Sequence, residues 1–483
     1  MITFDYIKTT NKLSIVCENV TTYGSLREYF SIVNTDAKFI QKRFRSSNIK
    51  ISTRKYAITP LGMCDLGLYW EIRQYLIQNQ ILDTVYITEN LKKRLDLSRS
   101  YELYTDLALE LRGYQVDVVR KAIDNGWGTC ILGTGAGKTL ITAAIIENYY
   151  KNCNNKETFR CLMIVPDLAL VTQTYNEFNL YGVSYSMSYW TGSNAPNTSS
   201  NIVICNMSIL LSQFENNDWV KYVDLLIVDE VHRIKPDNKI SKVINKIKTP
   251  NRFGFTGTLP PCKFNSWYII GKFGPILYEK SSYELRQEKF LTNVEVKMLQ
   301  LDHGSQKIPS LTQNKYRNEL EFLADSVRRN EVISKLCVGI NNNILILVNH
   351  IKHGENIYDL LQITCKEKQV YFIRGSVCVD EREKIKQIME KDKNVVCVAI
   401  SAIFSTGVNI KNIHTIIFAA GGKSFIRTVQ SIGRGLRLHE SKSKLLILDL
   451  YDMFFYSQQH GNMRKEIYKQ EQINYSVKPI KIT

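Results

Sequence analysis

A chain of 483 residues exceeds the roughly 100 to 200 of a single domain, so two or three domains are expected. Hydrophobic residues make up 44% and charged residues 23%, an ordinary globular balance. No apolar run approaches the ~18 residues of a membrane span, and the opening MITFDYIKTT lacks the basic flank and apolar core of a secretion signal, so a cytosolic protein with no membrane partner is expected. Lys plus Arg number 63 against 46 acidic residues, a formal charge of +17, which favours a polyanionic partner because clustered cations release counterions from phosphates.

Along the chain, the first hundred residues hold 15 Lys plus Arg and 9 Asp plus Glu. Lys42, Arg43, Arg45, Lys50, Arg54 and Lys55 cluster there with Phe44 and Tyr56 between them. That composition suits phosphate contacts with occasional base stacking, though a solvated hairpin face would share it. Beyond this segment the chain turns to short, fully apolar, β-branched runs separated by helical stretches. The first set covers residues 129–132, 161–165, 202–205, 225–228 and 253–256; the second covers 344–348, 370–373, 396–400, 415–419 and 445–450. Continuous apolar strands alternating with helices predict parallel sheets covered on both faces. An α/β chain with two doubly wound lobes follows, with ligands at the carboxyl ends of the strands.

The first of these runs leads into ILGTGAGKTLITAAII. Gly133, Gly135 and Gly137 let the backbone curl so that N–H groups point at phosphate oxygens, and the following helix N-terminus adds positive potential. Lys138 is placed to reach the β and γ phosphates and the Thr139 hydroxyl to ligate Mg²⁺, with Thr134 and Ala136 completing the loop. Leu132 stands where the general pattern has its first glycine. Further on, LLIVDEVH ends a buried run in two carboxylates. Asp229 suits an Mg²⁺ ion held through water, and Glu230 suits polarisation of the water that attacks the γ-phosphate. Near the C-terminus QSIGRGLR sets Arg434 and Arg437 three apart on one helix face, where two guanidiniums can neutralise charge on a transferring phosphoryl group. ATP and Mg²⁺ are therefore the expected cofactors. Eleven cysteines contain no C-x-x-C pair, and Cys130, Cys161, Cys205 and Cys397 fall inside apolar runs, where a free thiol packs as a small hydrophobe. His350 and His353 are read as surface or packing residues.

The order of these motifs resembles that of the superfamily 2 helicases over residues 103–455. The resemblance implies two tandem RecA-like lobes behind a small N-terminal α+β accessory domain. LRGYQ carries Arg112 and Gln115, with Gln115 implied to read adenine. Pro166 and Gln173 in IVPDLALVTQ and Asn206 in IVICNMSIL are implied to hold a nucleic-acid strand, and Thr256 and Thr258 in TGT to couple hydrolysis to lobe movement. In the second lobe ILILVNHIKHGENI, IRGSV and AISAIFSTGVNIKNIHTIIFA resemble strand-gripping motifs. They imply a nucleic-acid role for Thr406 and a nucleotide role for Gly407, and Gln430 heads the arginine motif. FSTG, KNIH and QSIGRGLR resemble in particular a group of phage helicases, which implies ATP-driven remodelling of branched DNA: branch migration, fork regression and R-loop unwinding in recombination, repair and replication. The implied partners are duplex, forked or four-way DNA and RNA–DNA hybrid, bound by a monomer. An RNA helicase and the motor subunit of a restriction system are the alternatives, although the 33 residues after Leu450 are too few for a nuclease domain. A scaffold with a dead ATPase would need a broken motif, and none is broken. The expected division is 1–100 for the accessory domain, 101–288 for the first lobe and 289–483 for the second.

Overall fold

A computed structural model describes every residue except 36, 38–51, 82–84, 97–100, 237, 310–312, 376, 378, 402–411, 421–443 and 483. The expected DNA contacts Lys42, Arg43 and Arg45, the pair Thr406 and Gly407, and the motif residues Gln430, Arg434 and Arg437 lie outside the described residues. The chain forms two compact units. Met1–Leu132 with Gly137–Glu279 makes the first, and Gly133–Ala136 with Lys280–Thr483 the second. No described helix is long and apolar enough to cross a membrane.

The first unit begins with β1 (Ile2–Ile7), β2 (Lys12–Cys17), β3 (Ser31–Val33), β4 (Arg54–Tyr56), β5 (Met63–Asp65) and β6 (Val85–Ile87). β1 and β2 form an antiparallel hairpin that turns at Asn11, whose φ of 52° suits asparagine. The sheet order is β5-β2-β1-β6, with β6 parallel to β1. These short strands cannot bury enough apolar surface alone. Their core of Phe4, Leu13, Phe30, Ile72 and Leu76 is completed by Trp127 and Trp267 from the following lobe, with the Phe30 and Trp267 rings 5.1 Å apart. Asp65 adds a buried ionic tie, 2.7 Å from Lys272 Nζ and also paired with Lys12. Burial alone would raise the Asp65 carboxyl, but the Lys272 and Lys12 ammoniums outweigh it and hold the group below its ordinary value. The first hundred residues thus have their own sheet but share a core with the first lobe.

That lobe contains β7 (Gly128–Leu132), β8 (Cys161–Val165), β9 (Met187–Trp190), β10 (Ile202–Asn206), β11 (Leu225–Asp229), β12 (Arg252–Thr256) and β13 (Ile276–Lys280), in the order β13-β7-β12-β11-β8-β10-β9. Every pairing from β7 across to β9 is parallel. β7, β8, β10 and β12 are buried along their whole length, and the helix Lys138–Asn152 is buried without a break from Leu140 to Tyr149. The cysteines on these strands pack as apolar groups, and burial pushes the Cys130 thiol up to about 12.

The second unit contains β14 (Asn293–Asp302), β15 (Ile344–Val348), β16 (Gln369–Ile373), β17 (Val395–Ile400), β18 (Thr415–Phe418), β19 (Lys444–Asp452) and β20 (Asn474–Lys481). The order is β16-β17-β15-β18-β19-β14-β20, parallel throughout. The expected fold class is therefore observed: two doubly wound, RecA-like parallel-sheet lobes with a small N-terminal α+β sheet. Within the two seven-stranded sheets, four strands were not foreseen. β20 is mostly exposed and β14 mixes buried with open positions, so neither shows the unbroken apolar run of a central strand; β9 and β13 are likewise only partly buried.

Within the second lobe lies a buried polar network. Arg329, 1% exposed, donates from Nε to both Asp452 oxygens at 3.0 and 3.1 Å and from Nη2 to the Ala419 carbonyl at 2.7 Å. His303 Nε2 lies 2.8 Å from the same carboxylate, and His353 Nε2 lies 3.4 Å from Arg329 Nη1. Burial and the Arg329 guanidinium push His353 down to about 3, so its imidazole is neutral and Nε2 can accept from Arg329. Burial would raise Asp452, but Arg329 and His303 hold it low. His353 is thus a packing residue inside the lobe.

Candidate nucleotide-binding site

The parallel registers bring the decisive residues together. Asp229 on β11 stands opposite Phe255 on β12, Val228 opposite Ile164 on β8, and Thr256 opposite Ile131 on β7. The ends of these four strands therefore gather the P-loop, the acidic pair, the TGT segment and the start of the IVPDLALVTQ helix at one edge, as expected for a parallel sheet.

After β7 the chain turns through Gly133–Ala136 into the helix Lys138–Asn152. Gly137 takes φ +77°, and a Cβ built there would lie 2.4 Å from the Gln115 side-chain nitrogen. Only glycine satisfies both demands. At Gly133 a Cβ would meet the Ser282 backbone nitrogen at 2.4 Å, while its own N–H donates to the Lys280 carbonyl at 2.8 Å. This is a loop whose backbone must approach its neighbours closely, followed at once by a helix N-terminus, and it fits a polyphosphate. Lys138 opens the helix and Thr139 follows it. Lys138 Nζ lies 3.4 Å from the Leu132 carbonyl and 3.6 Å from Glu230 Oε1. Gln115 Oε1 accepts the Arg112 N–H at 2.9 Å, closing the start of the helix Gly113–Asn125 and turning the amide nitrogen toward Gly137.

Asp229 ends β11, and its Oδ1 accepts the Glu230 N–H at 2.9 Å. Glu230 sits at φ 52° in the left-handed region, a conformation that costs an L side chain energy and gathers at functional sites. Its carboxylate faces two cations or donors: Lys138 through Oε1, and His232 Nδ1 at 3.1 Å through Oε2. His232 Nδ1 also lies 2.9 Å from Thr256 Oγ1. The Thr256 hydroxyl donates its one proton to the Thr258 carbonyl at 2.8 Å, so Thr256 Oγ1 can only accept from His232, and Nδ1 carries a proton. A continuous set of contacts thus runs Lys138–Glu230–His232–Thr256–Thr258.

Sequence reading did not single out His232, although it stands inside DEVH. The missing information is the β11–β12 register, which sets Thr256 beside it from 24 positions away. Of the expected nucleic-acid residues, Pro166 is buried just past β8. Gln173 donates from Nε2 to Glu177 at 2.8 Å. Asn206 is 8% exposed and caps the helix Met207–Gln213 by accepting the Ile209 N–H at 2.8 Å. Among the described residues no group of three or more His, Cys, Asp or Glu is arranged to hold a metal ion.

Residues 108–261 match the family described as the type III restriction enzyme res subunit, and residues 328–439 match the helicase conserved C-terminal domain. The two matches, in this order along the chain, indicate a superfamily 2 helicase, and the protein is an ATP-hydrolysing helicase. It is similar to the ATP-dependent DNA helicase uvsW of Enterobacteria phage T4, 27% identical over 503 aligned residues covering 97% of each chain. It is 24% identical to the DNA 3'-5' translocase XPB2 of Sulfurisphaera tokodaii over 413 aligned residues, 78% of this chain and 88% of that one. Among solved structures, the ATP-dependent Type ISP restriction-modification enzyme LlaBIII bound to DNA shares the fold, with a TM-score of 0.60 at 16% identity over 82% of this chain and 33% of that one.

Proposed function

We propose that this protein is an ATP-driven motor on DNA that remodels branched substrates, by branch migration, fork regression and R-loop unwinding. The motor half rests above all on the contacts from Lys138 through Glu230 and His232 to Thr256 and Thr258. Lys138 and the loop N–H groups take the β and γ phosphates, with Gln115 and Arg112 on the adenine side and Gly407 beside the nucleotide. A γ-phosphate competing for the Lys138 ammonium loosens its pairing with Glu230, which frees that carboxylate to orient the attacking water and accept its proton. His232 then passes the change in Glu230 to Thr256 and Thr258. Thr139 and Asp229 are the residues to hold Mg²⁺, which when bound supplies positive charge to the phosphate oxygens. Arg434 and Arg437, with Gln430, neutralise charge on the transferring phosphoryl group.

DNA is supported by the names of the uvsW and XPB2 relatives and by the charge of +17. Pro166, Gln173, Asn206 and Thr406 contact the strand, and Lys42, Arg43 and Arg45 add phosphate contacts from the N-terminal segment. The preference for forked, four-way or RNA–DNA hybrid substrates rests on the resemblance of FSTG, KNIH and QSIGRGLR to a group of phage helicases. ATP turnover measured across single-stranded, duplex, forked and four-way DNA and RNA tests the reading. Branched DNA should stimulate most; stronger stimulation by RNA would overturn the substrate, and none by any nucleic acid would overturn the motor.

A further inference from the structure

Asp167 precedes the helix Leu168–Leu180 with the extended backbone of an N-cap residue, φ −133° and ψ 157°. Aspartate there ordinarily accepts hydrogen bonds from first-turn N–H groups. Its side chain makes no such bond. Instead Arg233 Nη1 donates to Oδ1 at 3.2 Å and Nη2 to Oδ2 at 3.1 Å. Two parallel bonds between a guanidinium and a carboxylate fix orientation as well as distance. The side chains are 42% and 37% exposed, a setting in which an ion pair adds little to stability. A local cap has thus been given up for a long-range tie of small stabilising value, and the tie must matter for what it aligns.

What it aligns is visible at both ends. Arg233 ends the single turn Val231–Arg233, and its N–H donates to the Glu230 carbonyl at 3.0 Å. Glu230, held at φ 52°, begins that turn, so a shift of Glu230 reaches the guanidinium through three tightly bonded residues. At the other end Asp167 sits between Pro166 and the helix that carries Gln173. We infer that Arg233 is a positioning residue which, through Asp167, couples the nucleotide state at Glu230 to the grip of residues 166–173 on the nucleic-acid strand. The inference rests on the assignment of Pro166 and Gln173 to the strand path made above.

The test compares full-length wild type with Arg233→Ala, Asp167→Asn and the double variant; asparagine keeps a good cap residue at 167. Three quantities are read: ATP turnover without nucleic acid, turnover at saturating duplex DNA, and the Kd for a fluorescent DNA strand with ADP against a non-hydrolysable ATP analogue. Arg233→Ala should keep unstimulated turnover, while DNA stimulation falls about tenfold and the ratio of the two Kd values collapses toward one. The double variant should be no worse than either single one, because both remove the same tie. Wild-type stimulation and Kd ratio in Arg233→Ala would overturn the inference, as would multiplying losses in the double variant. A wild-type protein that DNA does not stimulate would instead overturn the strand path, and the inference with it.

Discussion

The charged groups of the first lobe's nucleotide site and those of the second lobe's interior are the same residue types under opposite rules. Glu230 and His232 are 22% and 31% exposed, and Lys138 stands 3.6 Å from its carboxylate partner. Arg329, Asp452 and His303 are at most 3% exposed, and Arg329 spends its donors on Asp452, His353 and a backbone carbonyl. A loosely held, partly open ion pair on strained backbone can exchange partners when a ligand arrives. A buried set whose charges are paired with one another cannot, because removing any member strands another in a low-dielectric interior. The first arrangement is built to change and the second to hold β14, β18, β19 and two helices in one relation.

Three measurements would break or sharpen this contrast. Lys138→Ala and Glu230→Gln should each lower kcat for ATP at least about a hundredfold while leaving the unfolding midpoint close to wild type; normal turnover in either would remove that residue from the site. Arg329→Met should do the reverse by leaving Asp452 buried without its partner, and denaturant unfolding should report a loss of about 3–5 kcal/mol. A loss below about 1 kcal/mol would mean the network does not staple the lobe. The smallest effect concerns acid. His353 titrates near 3 when folded against an ordinary 6.5, so between those values the unfolded chain binds a proton that the folded chain refuses. Stability therefore falls as pH drops through that window, by up to about 1.4 kcal/mol per unit. The depressed Asp452 carboxyl extends the loss below its ordinary 3.8. His353→Gln should flatten the slope between pH 4 and 6.5; an unchanged slope would assign the acid sensitivity elsewhere.

Much of the fold was legible because central parallel strands are buried on both faces and so read as unbroken apolar runs, as in β8 and β15. Edge strands carry no such signal, which is why β20 escaped notice. In the site, Lys138, Thr139, Asp229 and Glu230 were legible because phosphate and metal chemistry demands particular residues at short, local spacing. His232 and Arg233 were not, because their partners Thr256 and Asp167 are 24 and 66 positions away. The sharing of a core between the first hundred residues and Trp127 and Trp267 was equally hidden, since nothing local to those tryptophans says which sheet they will cover.

By itself the sequence determined that the chain makes two sets of buried parallel strands, and that a glycine-rich loop ends one strand while a pair of carboxylates ends another. Run length, glycine spacing and the chemistry of side chains are properties of a short window. Only the tertiary structure decided that β11 lies between β8 and β12, which sets His232 against Thr256 on one side and Arg233 against Asp167 on the other. Strand order and register are chosen by the packing of distant segments, and so the wiring between the motifs exists only once the sheet has formed.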